Sequence, residues 1–175
     1  MFKDNLRIIK IFPETIVDGA GLRYSIYLAG CAHRCPGCHN PESWNPNHGM
    51  PLTREWLNKI IQNIRSNPML DGVTFSGGDP FFYPQSLIEL LKIIKIETKQ
   101  NIWCYTGWTL EELLAAPERR ACLQYIDTLV DGRFLLDKLS HNLKFCGSSN
   151  QRIIHLGQLD LTQPGQPVTL NRLSL

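Results

Sequence analysis

Residues 73–94 run Val73-Thr74-Phe75-Ser76-Gly77-Gly78-Asp79-Pro80-Phe81-Phe82-Tyr83-Pro84-Gln85-Ser86-Leu87-Ile88-Glu89-Leu90-Leu91-Lys92-Ile93-Ile94. Val73–Phe75 is a short apolar strand, Ser76–Pro80 is a glycine- and proline-marked turn, and Leu87, Leu90, Leu91 and Ile94 fall at helical spacing. The unit strand–turn–helix recurs downstream: Ile102–Tyr105 is a strand, Thr109–Ala116 a helix and Thr128–Val130 a strand. Upstream, Leu6–Phe12 and Arg23–Leu28 are strand-like and are joined through Asp18-Gly19-Ala20-Gly21. Thr53 is placed to cap a helix with the apolar stripe Trp56, Leu57, Ile60, Ile61 and Ile64, stopped by Pro68. Strands alternating with helices imply parallel β-α units and the α/β class. About five strands and three or four helices are too few for a closed eight-unit barrel of about 250 residues, so an open, partial β/α barrel is expected. In such folds functional residues gather at the C-terminal ends of the strands.

The chain has 175 residues, 43% of them hydrophobic, enough for one core and too few for two ordinary domains. The expected division is a domain over 1–155 and an extended tail over 156–175, where Pro164 and Pro167 interrupt a segment without period. With 18 Lys+Arg against 16 Asp+Glu the net charge is +2, and the basic residues are scattered, which gives no reason to expect nucleic acid. The longest apolar run, Leu87 to Ile96, is broken by Glu89, Lys92 and Lys95, short of the roughly 18 residues a membrane span needs. Met1–Lys10 has no apolar signal core. These features point to the cytoplasm and away from a membrane.

Six cysteines in a reducing compartment read as metal or redox chemistry before disulfides. Cys31, Cys35 and Cys38 lie within eight residues, and Pro36 and Gly37 supply a turn that lets their sulfurs converge. Soft thiolates suit iron–sulfur or zinc. A 4Fe-4S cube normally takes four thiolates, so three leave one iron open to another ligand. A closed zinc site would instead recruit Cys104, Cys122, Cys146, His33 or His39 as the fourth ligand. Cys104, Cys122 and Cys146 lie among apolar neighbours and read as small buried hydrophobes.

Asp18-Gly19-Ala20-Gly21-Leu22-Arg23, Gly30-Cys31, Cys35-Pro36-Gly37-Cys38, Asn40-Pro41-Glu42-Ser43-Trp44 and Ser76-Gly77-Gly78-Asp79-Pro80 together resemble the activating proteins of glycyl-radical enzymes. Within that family, Val130-Asp131-Gly132-Arg133-Phe134 and Gly147-Ser148-Ser149-Asn150-Gln151 are similar to the branch that serves anaerobic ribonucleoside-triphosphate reductase. The likeness runs from about residue 8 to about residue 155.

The resemblance implies a radical S-adenosylmethionine oxidoreductase with a partial β/α barrel and a 4Fe-4S cluster on Cys31, Cys35 and Cys38. It further implies that S-adenosylmethionine chelates the open iron and is cleaved reductively with an external donor such as flavodoxin or ferredoxin. A glycyl radical then forms on the reductase. Gly37, Cys38, His39 and Asn40 would border the cofactor, His39 against the adenine and Asn40 on the ribose or merely in an Asx-turn. Ser76, Gly77 and Gly78 would receive the amino group, with Asp79 either assisting or capping a helix. Asp131 and Arg133 would line the cleft, Arg133 on the carboxylate, or form a plain turn. Gly147–Gln151 would either dock the partner or close the last turn. No acid/base dyad is expected. The alternatives are an activase of another glycyl-radical enzyme, a radical enzyme for a small molecule, and a non-catalytic metal-binding scaffold.

Overall fold

The sequence lays down strand, loop and strand before its first long helix. In the computed structural model, which describes residues 6–158, these become β1 (Arg7–Thr15) and β2 (Arg23–Leu28), paired antiparallel. The remaining strands are β3 (Met50–Pro51), β4 (Gly72–Gly77), β5 (Asn101–Tyr105), β6 (Thr128–Asp131) and β7 (Arg152–His155). They form one seven-stranded sheet in the order β3-β1-β2-β4-β5-β6-β7. The four central strands β2, β4, β5 and β6 are parallel, and the β1 and β7 pairings on either side are antiparallel.

Helices α1 (Arg54–Ser66), α2 (Pro84–Thr98), α3 (Leu110–Ala115) and α4 (Pro117–Leu123) make the crossovers. Each parallel step moves to the next strand in the same direction, so crossovers of one hand place the helices on one face of the sheet. Local signals set their ends. Thr53 accepts the Trp56 N–H, and Thr109 with Glu112 completes a reciprocal capping box; such caps contribute about 1 kcal/mol each.

The helix-facing parity of the strands, Tyr24, Ile26, Leu28, Val73, Phe75, Ile102, Cys104 and Leu129, packs on Leu57, Ile60, Ile64, Leu87, Leu91, Leu110 and Leu123. Each such side chain contributes about 1.5–3 kcal/mol when fully buried. The opposite parity carries Arg23, Ser25, Tyr27, Thr74, Trp103 and Tyr105, a polar and aromatic surface that a second apolar layer would not require.

The α/β class and the alternating parallel units agree with the sequence reading, but among the described residues there are seven strands, not five. β3 and β7 were not expected, and α4 follows α3 as a separate helix. Cys104 and Cys122 are fully buried in the core, as expected for small hydrophobes. Leu156–Gln158 forms a 3-10 turn whose Leu156 is buried in the same core. The rest of the expected tail, residues 159–175, lies outside the described residues. Among the described residues no helix is long and apolar enough to cross a membrane.

Candidate iron–sulfur and cofactor site

The cysteine loop leaves the C-terminal end of β2 and is fastened at both ends. The Gly30 N–H donates to Ser43 O at 2.8 Å and the Cys31 N–H to Trp44 O at 3.4 Å, joining the start of the loop to the 3-10 turn Pro41–Trp44. Ser43 is buried, and its hydroxyl donates to Asn40 O at 2.5 Å. Within the loop, the Cys38 N–H donates to Cys35 O at 3.1 Å, closing the turn through Pro36 and Gly37.

The thiols of Cys31, Cys35 and Cys38 are half-buried and free. Burial pushes the Cys31 and Cys35 thiols up from the ordinary value, while amides of His33 and Arg34 at Cys31, and of Phe134 at Cys35, favour the thiolate. Amides directed at sulfur are the setting in which a thiolate ligates metal. Among the described residues no three His, Cys, Asp or Glu side chains gather for a single metal ion. Of the other candidate ligands, Cys104 and Cys122 belong to the core and His33 is bonded to Asp79, while Cys146 is half-buried with a free thiol and His39 is exposed. The loop itself offers three thiols, a set that fits a four-iron cube with one iron left for another ligand.

Asp79 is the hub of the site. It is 2% exposed, and its carboxylate accepts from Phe81 N–H (2.9 Å), Thr106 Oγ1 (3.0 Å), Gly107 N–H (3.0 Å) and His33 Nε2 (2.8 Å). It thereby fastens the tips of β4 and β5 to the cysteine loop. Asp79 thus caps the 3-10 turn Pro80–Phe82, the capping role expected of it, and holds three further donors.

The glycines before it are demanded by backbone crowding. Gly77 has φ +106°, and a Cβ on Gly78 would lie 2.5 Å from Gly30 O and 2.9 Å from Ser43 O. The same backbone is knit by Gly78 N–H to Leu28 O and Asp79 N–H to Gly30 O, both 2.8 Å. The Gly-Gly pair thus seats the cysteine loop directly, which is a different reason for glycine from room for a ligand.

Beside this scaffold lies a cavity of about 310 Å³ lined by Ile9, Lys10, Phe12, Tyr27, His39, Asn40, Glu42 and Gly77. It joins three of the residues expected at the cofactor, His39, Asn40 and Gly77, and its size falls at the lower end of small-molecule sites. Lys10, Phe12, Tyr27 and Glu42 were not anticipated. The available signal was parity: Lys10 pairs with Tyr27 across β1 and β2 on the face away from the helices. Tyr27 donates to Asp18 Oδ1 at 2.9 Å, and Ser76 adjoins the same phenol, whose pKa is raised chiefly by burial.

Two expected contacts fall elsewhere. Asp131 is fully buried, accepts the Leu110 N–H at 2.7 Å and pairs with Arg152 at 2.5 Å, so it anchors α3 and β7 and does not line the cavity. Arg133 is exposed and outside the cavity lining; its carbonyl accepts Asn150 Nδ2 at 2.8 Å, and its charge reaches Cys35. Gly37 is exposed in its turn with Leu136 packed over it. Gln151 accepts from Gly147 and Ser148 N–H and donates to Gly132 O, so Gly147–Gln151 is a turn closed by its own amides.

These elements define an iron–sulfur domain, and a family model described as a 4Fe-4S single cluster domain matches residues 17–154. The anaerobic ribonucleoside-triphosphate reductase-activating protein of Salmonella typhimurium is 37% identical over 156 residues, covering 86% of this chain and 99% of that one. Its counterpart in Escherichia coli K12 is 37% identical over 150 residues (83% and 96%), and that of Enterobacteria phage T4 is 30% identical over 148 (82% and 90%). The chain belongs to the family of anaerobic ribonucleoside-triphosphate reductase-activating proteins.

Proposed function

We propose that the chain is a radical S-adenosylmethionine enzyme that places a glycyl radical on an anaerobic ribonucleoside-triphosphate reductase, with the sheet as the open β/α barrel of that class. The observation that carries this reading is the three-thiol loop bordering a cavity lined by His39, Asn40 and Gly77. Bound there, a 4Fe-4S cluster and S-adenosylmethionine supply one-electron cleavage of the sulfonium–carbon bond and hydrogen abstraction from a glycine of the reductase.

The chain's own part is holding and positioning. Cys31, Cys35 and Cys38 would ligate three irons. Gly77 would offer backbone to the amino group, Asn40 and Glu42 would offer oxygens to the ribose and amine, and the Lys10 ammonium would be available to the carboxylate. His39 and Phe12 provide ring surfaces for the adenine. Asp79, His33, Thr106 and Gly107 keep the loop in register with the strand tips. The seat is organised before the cofactor arrives, which limits the reorganisation needed on binding. A low-potential protein such as flavodoxin or ferredoxin supplies the electron, in the cytoplasm.

The test is anaerobic reconstitution with iron and sulfide, followed by dithionite and S-adenosylmethionine. Production of 5′-deoxyadenosine, and a glycyl signal in electron paramagnetic resonance once the reductase is added, are expected. Cys31→Ala, Cys35→Ala and Cys38→Ala should each lose the cluster, while Cys104→Ala and Cys146→Ala keep it. Stoichiometric zinc with no 5′-deoxyadenosine would establish the metal-binding scaffold instead.

A further inference from the structure

After β6 the chain makes a long excursion, residues 133–145, before returning through Gly147–Gln151 to β7. It is held by the Leu139–Ser148 bridge, by Ser149 N–H to Lys138 O at 2.9 Å and by the short turn Leu136–Lys138. Its outer surface is apolar to a degree that folding does not explain: Leu135, Leu136, Leu139 and Leu143 are 37%, 54%, 40% and 37% exposed. Among them stand Arg133, Lys138 and Lys144, all exposed, with Asp137 the single acid in the segment. No ion pair among the described residues holds any of these cations. Aliphatic side chains interleaved with free cations form a surface for a partner that is apolar at its centre and acidic at its rim.

The same excursion is the outer cover of the cysteine loop. The Phe134 N–H is directed at the Cys35 thiol and the Arg133 charge reaches it. Leu136 Cδ1 lies 2.8 Å from the point a Cβ on Gly37 would occupy. This surface therefore lies directly over the part of the loop that carries Cys35. Residues 133–145 contribute nothing to the cavity lining, which comes from β1, β2, β4 and residues 39–42. His39 stands between the two, lining the cavity with its ring edge-on to Phe134 at 6.0 Å.

We propose that the 133–144 surface is the docking face of an acidic protein that carries single electrons, such as a reduced flavin or iron–sulfur carrier. The proposal rests on the iron–sulfur reading above. Tunnelling falls steeply with distance, so a donor docks close to the cluster's ligands, and this segment packs directly on the cysteine loop at Cys35 and Gly37. One electron passes from the carrier's reduced group to the cluster; the carrier is oxidised by one and the cluster reduced by one. Because residues 133–145 contribute nothing to the cavity lining, the donor need not displace the partner that presents its glycine there. Encounters of this kind are small and steered by charge, so the cations govern the association rate more than the final affinity.

The experiment uses reconstituted holoprotein and a reduced acidic flavodoxin as probe, with bleaching of the cluster followed anaerobically by stopped flow. For the wild type, the second-order rate should fall as ionic strength rises. Lys138→Glu with Lys144→Glu should lower it at least tenfold at low salt and abolish the salt dependence, consistent with the range of charge steering. Iron content and dithionite reduction should stay within twofold of wild type. Equal flavodoxin rates in both proteins, or a wild-type rate indifferent to salt, would overturn the proposal, the second without relying on any variant. Loss of glycyl-radical formation under dithionite with an unchanged flavodoxin rate would assign the face to the reductase and also overturn it. A wild type whose absorbance dithionite does not bleach would instead refute the iron–sulfur reading, and the docking face with it.

Discussion

Replacing Asp79 with alanine is expected to destabilise the metal-free protein severely. The substitution removes one carboxylate and strands four donors that it now satisfies: Phe81 N–H, Gly107 N–H, Thr106 Oγ1 and His33 Nε2. A buried donor left unpaired costs about 1–3 kcal/mol, and loss of a cap about 0.5–2 kcal/mol. The Thr106 hydroxyl can turn to another acceptor and water can reach the His33 side, so the expected sum is about 3–5 kcal/mol, in the range that marks a broken buried network.

Urea unfolding followed by circular dichroism reads this directly. With a slope of about 2 kcal/mol per molar urea, the midpoint should fall by about 1.5–2.5 M. Asp79→Asn should lie between, since its oxygen keeps the Phe81 cap while its amide group opposes the Gly107 N–H. If Asp79→Ala lost less than about 1 kcal/mol and instead weakened S-adenosylmethionine binding, the anchor assignment would be wrong and Asp79 would be a ligand of the cofactor.

Gly78→Ala should abolish iron loading as well as cofactor binding, because the added carbon meets two backbone carbonyls, Gly30 O and Ser43 O, that hold the cysteine loop; a normal iron content per chain would refute this. Lys10→Ala should leave the cluster intact and weaken S-adenosylmethionine about three- to tenfold by titration calorimetry, the worth of one partly solvated charge-assisted contact. Burial pushes the Cys122 thiol up to about 12 from 9.0, so the folded state keeps a proton that the unfolded chain releases. Its contribution is complete below about pH 9 and is lost between about 9 and 12, by about 1.4 kcal/mol per pH unit. Cys122→Ala should flatten that part of the stability profile, and an identical alkaline slope would contradict it.

What could be read beforehand was what short-range chemistry decides. The ends of β2 match Arg23–Leu28, and Thr53 caps α1, because alternation and a hydroxyl before an apolar stripe act within a few residues. β3 was invisible since Met50–Pro51 is exposed and is a strand only by pairing with Arg7 and Ile8. β7 was hidden by its ends: Arg152 is consumed by Asp131 and Glu111, and His155 faces Thr128, so polar residues occupy positions where alternation predicts none. The cysteine spacing was legible because covalent separation alone brings those sulfurs to one loop. The role of Asp79 was not, since its donors come from residues 33, 81, 106 and 107, and only the parallel order of β2, β4 and β5 collects them.

The same long-range lattice explains why the opening segment Asp18-Gly19-Ala20-Gly21-Leu22-Arg23 is so particular although it touches no thiol. Arg23 is buried and bonds Thr74 Oγ1, Val73 O and Asn101 O, so one guanidinium spans the N-terminal ends of β2, β4 and β5. Burial without a direct carboxylate partner lowers its pKa to about 10, a desolvation cost carried for the sake of strand register. Thr74 in turn donates to Asp18 O, and Asp18 accepts from Tyr27, a wall of the cavity. The three parallel strands are thus pinned at one end by Arg23 and at the other by Asp79, and a one-residue slip of any of them would break both fastenings together. Each strand tip carries part of the site: the cysteine loop on β2, the glycine pair on β4 and Thr106-Gly107 on β5. Register, rather than any local loop preference, is therefore what holds the metal loop against the cavity.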